Sequence, residues 1–267
     1  MPARFDYIVV GGGLAAASAV EGIRERDARG SLLLLSAEPN LPYHRPPLSK
    51  QLWTGKKTRD QVFVHGPDFF SSHGVELALG RRVERLDPTN KTVRDALGAD
   101  YEFGTLLLAT GGAPRRLAIP GGDLPGVLYF RTLEDYDAAR SKAVPGTKCT
   151  VIGGGFIGSE LAASLNLNGV DVTMVFPGPW LCSRVFPAGL GQALQRMYEE
   201  RGIRIVHDSP ASISESGPTL LTHTRKGEII ASDFVIAGVG ISPGTELAQG
   251  ARLAVDNGVI VDPYLRT

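Results

Sequence analysis

The residues whose spacing implies chemistry are mostly glycines. Tyr7-Ile8-Val9-Val10 is a short apolar run, followed by Gly11-Gly12-Gly13 and a small-residue start, Leu14-Ala15-Ala16-Ala17. Such a run reads as a buried strand, and its sequel as a tight turn into a helix. Gly11 suits the turn, and Gly13 lets a pyrophosphate approach the backbone. Ala16 takes the third small-residue place, which keeps helix and strand close. The free amides and positive dipole of the helix start favour a phosphate. A Gly-rich turn alone would bind nothing. Here a helix signal runs to about residue 28, a second strand follows at 31–35, and Glu38 stands where an acid can accept from a ribose hydroxyl. Residues 39–50 then hold four prolines, Pro39, Pro42, Pro46 and Pro47. That density predicts a fixed shape that is neither helix nor sheet. The stiffness favours a ligand role for Arg45 and Lys50 over that of solvated surface cations.

The elements that must position these groups occur twice. In the first copy, strands at 75–79, 91–95 and 101–109 end in Thr110-Gly111-Gly112. Residues 114–125, with three prolines and Gly121-Gly122, read as a crossover, and 132–143 as a helix. Then Cys149-Thr150-Val151-Ile152 leads into Gly153-Gly154-Gly155-Phe156-Ile157-Gly158, a complete GxGxxG. A helix at 159–167, a strand at 170–175 and a helix at 190–201 follow. Strands at 204–207, 219–225, 228–232 and 233–237 end in Gly238-Val239-Gly240. Residues 5–111 and 148–240 are thus an internal duplication, each a dinucleotide unit with a short meander. Two such units imply two dinucleotides, and the chemistry that needs two is hydride transfer between a nicotinamide and a flavin.

Composition narrows the classes. The 267 residues suit two domains, and 43% hydrophobic content builds real cores. Lys plus Arg (28) equals Asp plus Glu (28), so no nucleic-acid or anionic-membrane partner is expected. No apolar run reaches membrane-spanning length. The chain enters a strand almost at once, so no signal or transit peptide is expected. Cys149 and Cys182 are the only cysteines, with no CxxC, which suggests a reducing, cytoplasmic setting and excludes a tandem redox dithiol. The five histidines lack metal-ligand spacing.

The chain resembles the flavin-dependent pyridine-nucleotide oxidoreductases. Within them it is most similar to ferredoxin and rubredoxin reductases and to the related apoptosis-inducing-factor-like proteins. The resemblance lies in 38–50, above all Arg45-Pro46-Pro47-Leu48-Ser49-Lys50, in Leu108-Ala109-Thr110-Gly111, in Phe130 to Asp135, and in 153–160 and 233–243. It implies an α/β protein of two interleaved Rossmann-like, three-layer dinucleotide-binding domains. FAD would take 1–115 and 241–267, and NAD(P)H 116–240. It implies FAD contacts from Gly11, Gly13, Leu14, Ala15, Glu38, Arg45, Lys50, Val83, Ala109, Thr110, Gly111 and Arg131. NAD(P)H contacts would come from Gly153, Gly155, Phe156, Ile157, Gly158, Glu160 and Gly238. Lys50 and Glu160 would be the catalytic pair, Lys50 by raising the flavin potential and Glu160 near the nicotinamide. Without a ligand, Glu160 reads as a first-turn carboxylate favoured by the helix dipole.

The implied reaction is hydride transfer from NAD(P)H to FAD, then electron delivery to a ferredoxin or rubredoxin. Two other readings are a redox-sensing or cell-death effector flavoprotein and a non-catalytic nucleotide-binding fragment. The chain departs from the family pattern in two places. It stops at Thr267, before the family's second FAD motif, so a fragment with weakened FAD binding is expected. Phe176 stands where relatives carry an acid for the NAD ribose. Arg184, in the same loop, could reach a 2′-phosphate, but NADH remains the expected coenzyme.

Overall fold

A computed structural model describes residues 2–267 as two compact units. Of these residues, unit 1 comprises 2–44, 59–113 and 242–267, and unit 2 comprises 45–58 and 114–241. Residues 45–58, expected within 1–115, therefore pack with the other unit.

In unit 1, β1 (Ala3–Val10), α1 (Leu14–Arg26), β2 (Leu32–Leu35), α2 (Pro67–Ser72) and β3 (Val75–Ala78) lead to β4 (Val83–Asp87), β5 (Thr92–Asp95) and β6 (Asp100–Leu108). One six-stranded sheet results, in the order β3-β2-β1-β6-β5-β4. Its β3, β2, β1 and β6 are parallel, while β4 and β5 extend it antiparallel. All four leucines of β2 are buried, because both faces of that strand are covered. Val9, Leu32 and Leu34 pack with Ala16 and Val20 of α1 and with Phe70 of α2. Ile8, Val10, Leu33 and Leu35 pack on the opposite face with Leu86 and Val93. Leu247 joins that face from α6 (Glu246–Gly250). The period-two alternation of the strands thus produces three layers.

The chain leaves through β7 (Gly112–Pro114) and builds unit 2 from β8 (Val127–Tyr129), α3 (Leu133–Lys142), β9 (Lys148–Ile152), α4 (Phe156–Leu167), β10 (Asp171–Phe176), α5 (Ala188–Glu199) and β11 (Arg204–His207). There follow β12 (Pro210–Ser216), β13 (Thr219–Thr224), β14 (Ile229–Ser232) and β15 (Phe234–Ala237). The parallel sheet runs β11-β10-β9-β15-β8, and β12-β13-β14 is a separate antiparallel sheet. The two copies differ here for a local reason. In unit 1, β6 is one nine-residue strand that pairs with both β1 and β5. In unit 2 the chain breaks at Asp233, whose backbone N–H donates to the Lys148 carbonyl and whose carboxylate accepts the Lys148 amide. That break turns β14 away from the parallel sheet. Return is through β16 (Ile241–Pro243), and β17 (Val255–Asp256) with β18 (Gly258–Val259) form a small ribbon.

The proline-dense segment is not wholly irregular: Pro46–Ser49 forms one 3₁₀ turn, with prolines in its first positions, where a missing N–H costs nothing. Helix α4 starts at Phe156 rather than 159, because Gly155 is its N-cap. Among the described residues, no helix is long and apolar enough to cross a membrane.

One buried carboxylate ties the unit 1 meander. Asp95 accepts from the Leu97 and Ala99 amides at 3.0 and 2.9 Å, and from Tyr101 Oη and Arg81 at 3.2 Å. Burial pushes its pKa up, but these donors outweigh burial and hold the carboxyl below the usual carboxylate range. A depressed folded pKa stabilises above the unfolded value of about 4 and is lost as pH falls through the folded one. Asp95→Asn should therefore be less stable than wild type at neutral pH, and the gap should narrow on acidification. Chemical denaturation at a series of pH values checks this.

Candidate functional site

Each unit presents the same strand-turn-helix device. Gly11 and Gly153 have φ of 140° and 121°, a region that disfavours side chains. A Cβ on Gly11 would run into the Ala109 carbonyl, and one on Gly153 into the Gly238 carbonyl. The next glycine closes on the second strand: a Cβ on Gly12 would hit Ser36 Oγ, and one on Gly154 would lie 2.6 Å from the Phe176 ring. Gly13 and Gly155 are different. Each is the N-cap of its helix, and a Cβ there would meet nothing within 4 Å. These are open cradles over free helix amides, and neither helix has an acid in its first turn. The donor set fits a dinucleotide pyrophosphate at both places. Leu14 and Phe156 follow the cradles and are 49% and 51% exposed. Ala15 is exposed too, and Ile157 is 40% exposed.

The third small residue differs between copies. Ala16 is fully buried with its methyl in the unit 1 core. At Gly158 a Cβ would collide with the Gly153 carbonyl, so unit 2 requires glycine where unit 1 accepts alanine.

In unit 1, Glu38 is half-buried and hydrogen-bonded by Tyr43 Oη at 2.5 Å. Ser36 Oγ accepts the Glu38 amide at 3.1 Å, which fixes the backbone there. Val83 begins β4, in a stretch where the Gly80 and Arg81 amides return to the Glu38 and Ser36 carbonyls. Ala109 continues the ladder by donating to the Val10 carbonyl. Thr110 donates to the Gly244 carbonyl at 2.6 Å, and Gly111 turns with φ 64°.

In unit 2, Lys50 Nζ lies 2.7 Å from Glu160 Oε2, so the structure brings the two sequence-predicted catalytic residues together. Glu160 is the fifth residue of α4, not a first-turn acid, so the dipole does not explain it. The half-buried Arg45 donates to the Arg131 carbonyl at 2.8 Å. The Arg131 amide in turn donates to Asp135, which caps α3 together with Thr132. Gly238 closes on Gly158 from β15, where a Cβ would stand 3.0 Å from the Gly158 amide nitrogen. Tyr198 of α5 donates to the Ser159 carbonyl at 2.9 Å. Burial, with Cys182 and Glu160 nearby, pushes its hydroxyl up to about 12, so it stays a donor. Sequence reasoning missed Tyr198, since nothing marks one tyrosine in a helix. Cys149 and Cys182 are buried and free, and burial pushes the Cys149 thiol up.

The expected ribose position needs correction. Register pairs Val10 with Leu35 and Ile152 with Val175, so Phe176 corresponds to Ser36 and Gly178 to Glu38. Phe176 is 3% exposed, lies against Gly154, and meets the His207 ring edge-on at 5.2 Å. It is a core residue and not the solvent-facing ribose position. At Gly178 there is likewise no acid, and its carbonyl accepts from His207 Nδ1 at 2.7 Å. Arg184 is exposed in the following loop and makes no hydrogen bond or ion pair among the described residues.

A duplicated strand-turn-helix cradle on two parallel α/β sheets defines a protein with two Rossmann-like units. Residues 5–267 match the family described as pyridine nucleotide-disulphide oxidoreductase, and the chain belongs to that family. It is 36% identical to the ferredoxin–NAD(+) reductase component of the anthranilate 1,2-dioxygenase system of Burkholderia cepacia, over 98% of this chain and 64% of that protein. It is 34% identical to monodehydroascorbate reductase 2 of Arabidopsis thaliana, over 98% of this chain and 65% of that protein. The crystal structure of the covalent putidaredoxin reductase–putidaredoxin complex matches with a TM-score of 0.92 at 29% identity, covering 99% of this chain and 65% of that one. The chain thus spans about two thirds of the length of its relatives.

Gly158→Ala should cost about 3 kcal/mol, the upper range for overpacking, because backbone and not a flexible side chain must give way. Gly155→Ala should leave stability nearly unchanged. Thermal denaturation of the two variants checks the contrast.

Proposed function

We propose that the protein carrying this chain is a flavoprotein reductase that moves a hydride from NAD(P)H to FAD. It then delivers electrons to a ferredoxin- or rubredoxin-type carrier. The observation that carries the reading is the pairing of two open glycine cradles with the Lys50–Glu160 ion pair. FAD would lie on unit 1, with its pyrophosphate on the amides at Gly13, Leu14 and Ala15. Glu38 would take its ribose, and Val83, Ala109, Thr110 and Gly111 would border it. NAD(P)H would lie on unit 2, with its pyrophosphate at Gly155, Phe156 and Ile157, and with Gly238 and Glu160 toward its nicotinamide. When bound, the two nucleotides supply a two-electron donor and an acceptor able to release electrons singly. The chain supplies position and charge: Arg45, Lys50 and Arg131 favour negative charge, and Glu160 holds the Lys50 ammonium. Two buried free cysteines support a cytoplasmic setting. The similarity to a ferredoxin reductase component and to the putidaredoxin reductase complex supports the carrier.

The test uses the full-length protein with NADH as donor. Rapid flavin bleaching followed by ferredoxin-coupled reduction of cytochrome c is expected. Flavin reduction with monodehydroascorbate as the only accepted oxidant would replace the carrier. No flavin reduction by either nicotinamide would overturn the reading in favour of a sensing or non-catalytic role. Lys50→Met should lower the flavin midpoint potential by about 30 mV, ~1.4 kcal/mol for a two-electron couple, with FAD content retained. Potentiometric titration reads this out.

Coenzyme choice follows from the loop after β10. No acid stands at Phe176 or Gly178, so rejection of a 2′-phosphate is weak and NADH is favoured only modestly. Gly178→Glu should sharpen the preference for NADH about tenfold by repelling NADPH, ~1.4 kcal/mol. Arg184→Ala should weaken NADPH more than NADH. Phe176→Glu should instead destabilise unit 2 by about 3–5 kcal/mol, the cost of an unpaired buried charge. Ratios of kcat/KM for the two coenzymes, with melting temperatures, separate these effects.

A further inference from the structure

Glu160 and Ser164 of helix α4 and its C-cap Asn168 stand four residues apart, hence on one face. All three side chains reach the 45–58 segment. Glu160 Oε2 accepts from Ser49 Oγ at 2.5 Å and from Lys50 Nζ at 2.7 Å. Ser164 Oγ donates to the Ser49 carbonyl at 2.7 Å. Asn168 Nδ2 donates to the Trp53 carbonyl at 3.1 Å and to its own helix at Ser164. Ser49 is therefore held at both its hydroxyl and its carbonyl. The other face of the segment is fastened as well: Tyr136 Oη donates to the Leu52 carbonyl, and the Trp53 ring meets Tyr136 edge-on at 5.4 Å.

Burial separates the roles. Ser49 and Ser164 are 2% and 4% exposed, whereas the Lys50 side chain is 44% exposed. An ammonium on a four-carbon stem in partial contact with water is weakly held by Coulomb attraction alone, and exposed pairs contribute about 0–1 kcal/mol. What fixes the ammonium is a carboxylate that cannot turn away. Ser49 has one hydroxyl proton and gives it to Glu160, since its only other acceptor among the described residues, the Pro46 carbonyl, lies at 3.5 Å. A hydrogen bond to a charged group from a buried donor is the stronger kind.

We propose that Ser49 is a positioning residue: it fixes Glu160 Oε2 and through it the Lys50 ammonium, while Ser164 braces Ser49 from behind. The inference rests on the reading of Lys50 and Glu160 as the working pair, and it adds the group that orients them. It also makes Lys50 part of the same rigid seam as α4, the helix whose first turn forms the unit 2 cradle.

The test compares Ser49→Ala and Ser49→Thr in the full-length protein, each in wild-type and Glu160→Gln backgrounds. One readout needs no activity: the rate at which an amine-acylating reagent labels Lys50, mapped by mass spectrometry. The other is kcat and KM for NADH-driven flavin reduction. Ser49→Ala should raise Lys50 labelling about tenfold, equivalent to ~1.4 kcal/mol, and lower kcat by a similar factor, with KM within about twofold of wild type. Ser49→Thr keeps the hydroxyl and should restore both. In the Glu160→Gln background Ser49→Ala should add nothing. Unchanged labelling in a folded Ser49→Ala protein, or equal effects in both backgrounds, overturns the proposal. Should Ser49→Ala fail to fold, Ser164→Ala carries the same labelling test, and no rise overturns it. Altered labelling in a protein whose wild type shows no flavin reduction would fault the reading of the reaction and leave the positioning role standing.

Discussion

In each unit the backbone of one strand end presses on the glycine turn of its neighbour. The Ala109 carbonyl occupies the space where a Gly11 side chain would begin, and the Gly238 carbonyl does the same at Gly153. The amides of Ala109 and Gly238 complete the contact by donating to the Val10 and Ile152 carbonyls. This close approach sets where each first helix starts. The helix start in turn decides where free amides point, and thereby where an anion can bind. Everything proposed for the nucleotides depends on that arrangement.

The two copies satisfy this constraint with different surroundings. Unit 1 keeps a methyl at Ala16 and a polar Ser36 against Gly12, with Glu38 two residues beyond. Unit 2 needs glycine at 158 and sets the flat Phe176 ring against Gly154. That ring lies edge to His207, and no carboxylate stands at Gly178, the counterpart of Glu38. On the proposed reading, the same fold would hold the common pyrophosphate through backbone and leave the distinguishing end of each nucleotide to a few side chains.

The 45–58 segment shows how a fixed loop acquires a role. Its prolines shape it, but polar contacts with α3, α4 and the residues flanking them fasten it at Arg45, Ser49, Leu52 and Trp53. Lys50 is a half-exposed charge placed between the anchored residues Ser49 and Leu52. A positioned charge of this kind gives more electrostatic stabilisation than a mobile one, because no reorganisation is needed when charge develops beside it.

The sequence by itself determined the duplication, both glycine turns, the parallel strand-helix-strand units and most strand positions. Those features are local: apolar runs, small residues at fixed offsets and turn glycines obey short-range sterics. Lys50 was legible as a ligand candidate from its stiff loop, but Glu160 and the pairing of the two were legible only through resemblance, since 110 positions separate them and no periodicity links them. Tertiary structure decided the rest. It placed 45–58 with unit 2 rather than with the stretch preceding it in the chain. It put Phe176 in the core, because strand register, not residue count, aligns the second strands of the two units. It split the unit 2 meander from its sheet through a backbone break at Asp233, where unit 1 runs straight. It also formed the Ser49–Glu160–Lys50 contact, which requires a 3₁₀ turn to meet one face of a helix more than a hundred residues away. Such meetings depend on packing between distant elements, and packing is a property of the folded chain that no local pattern encodes.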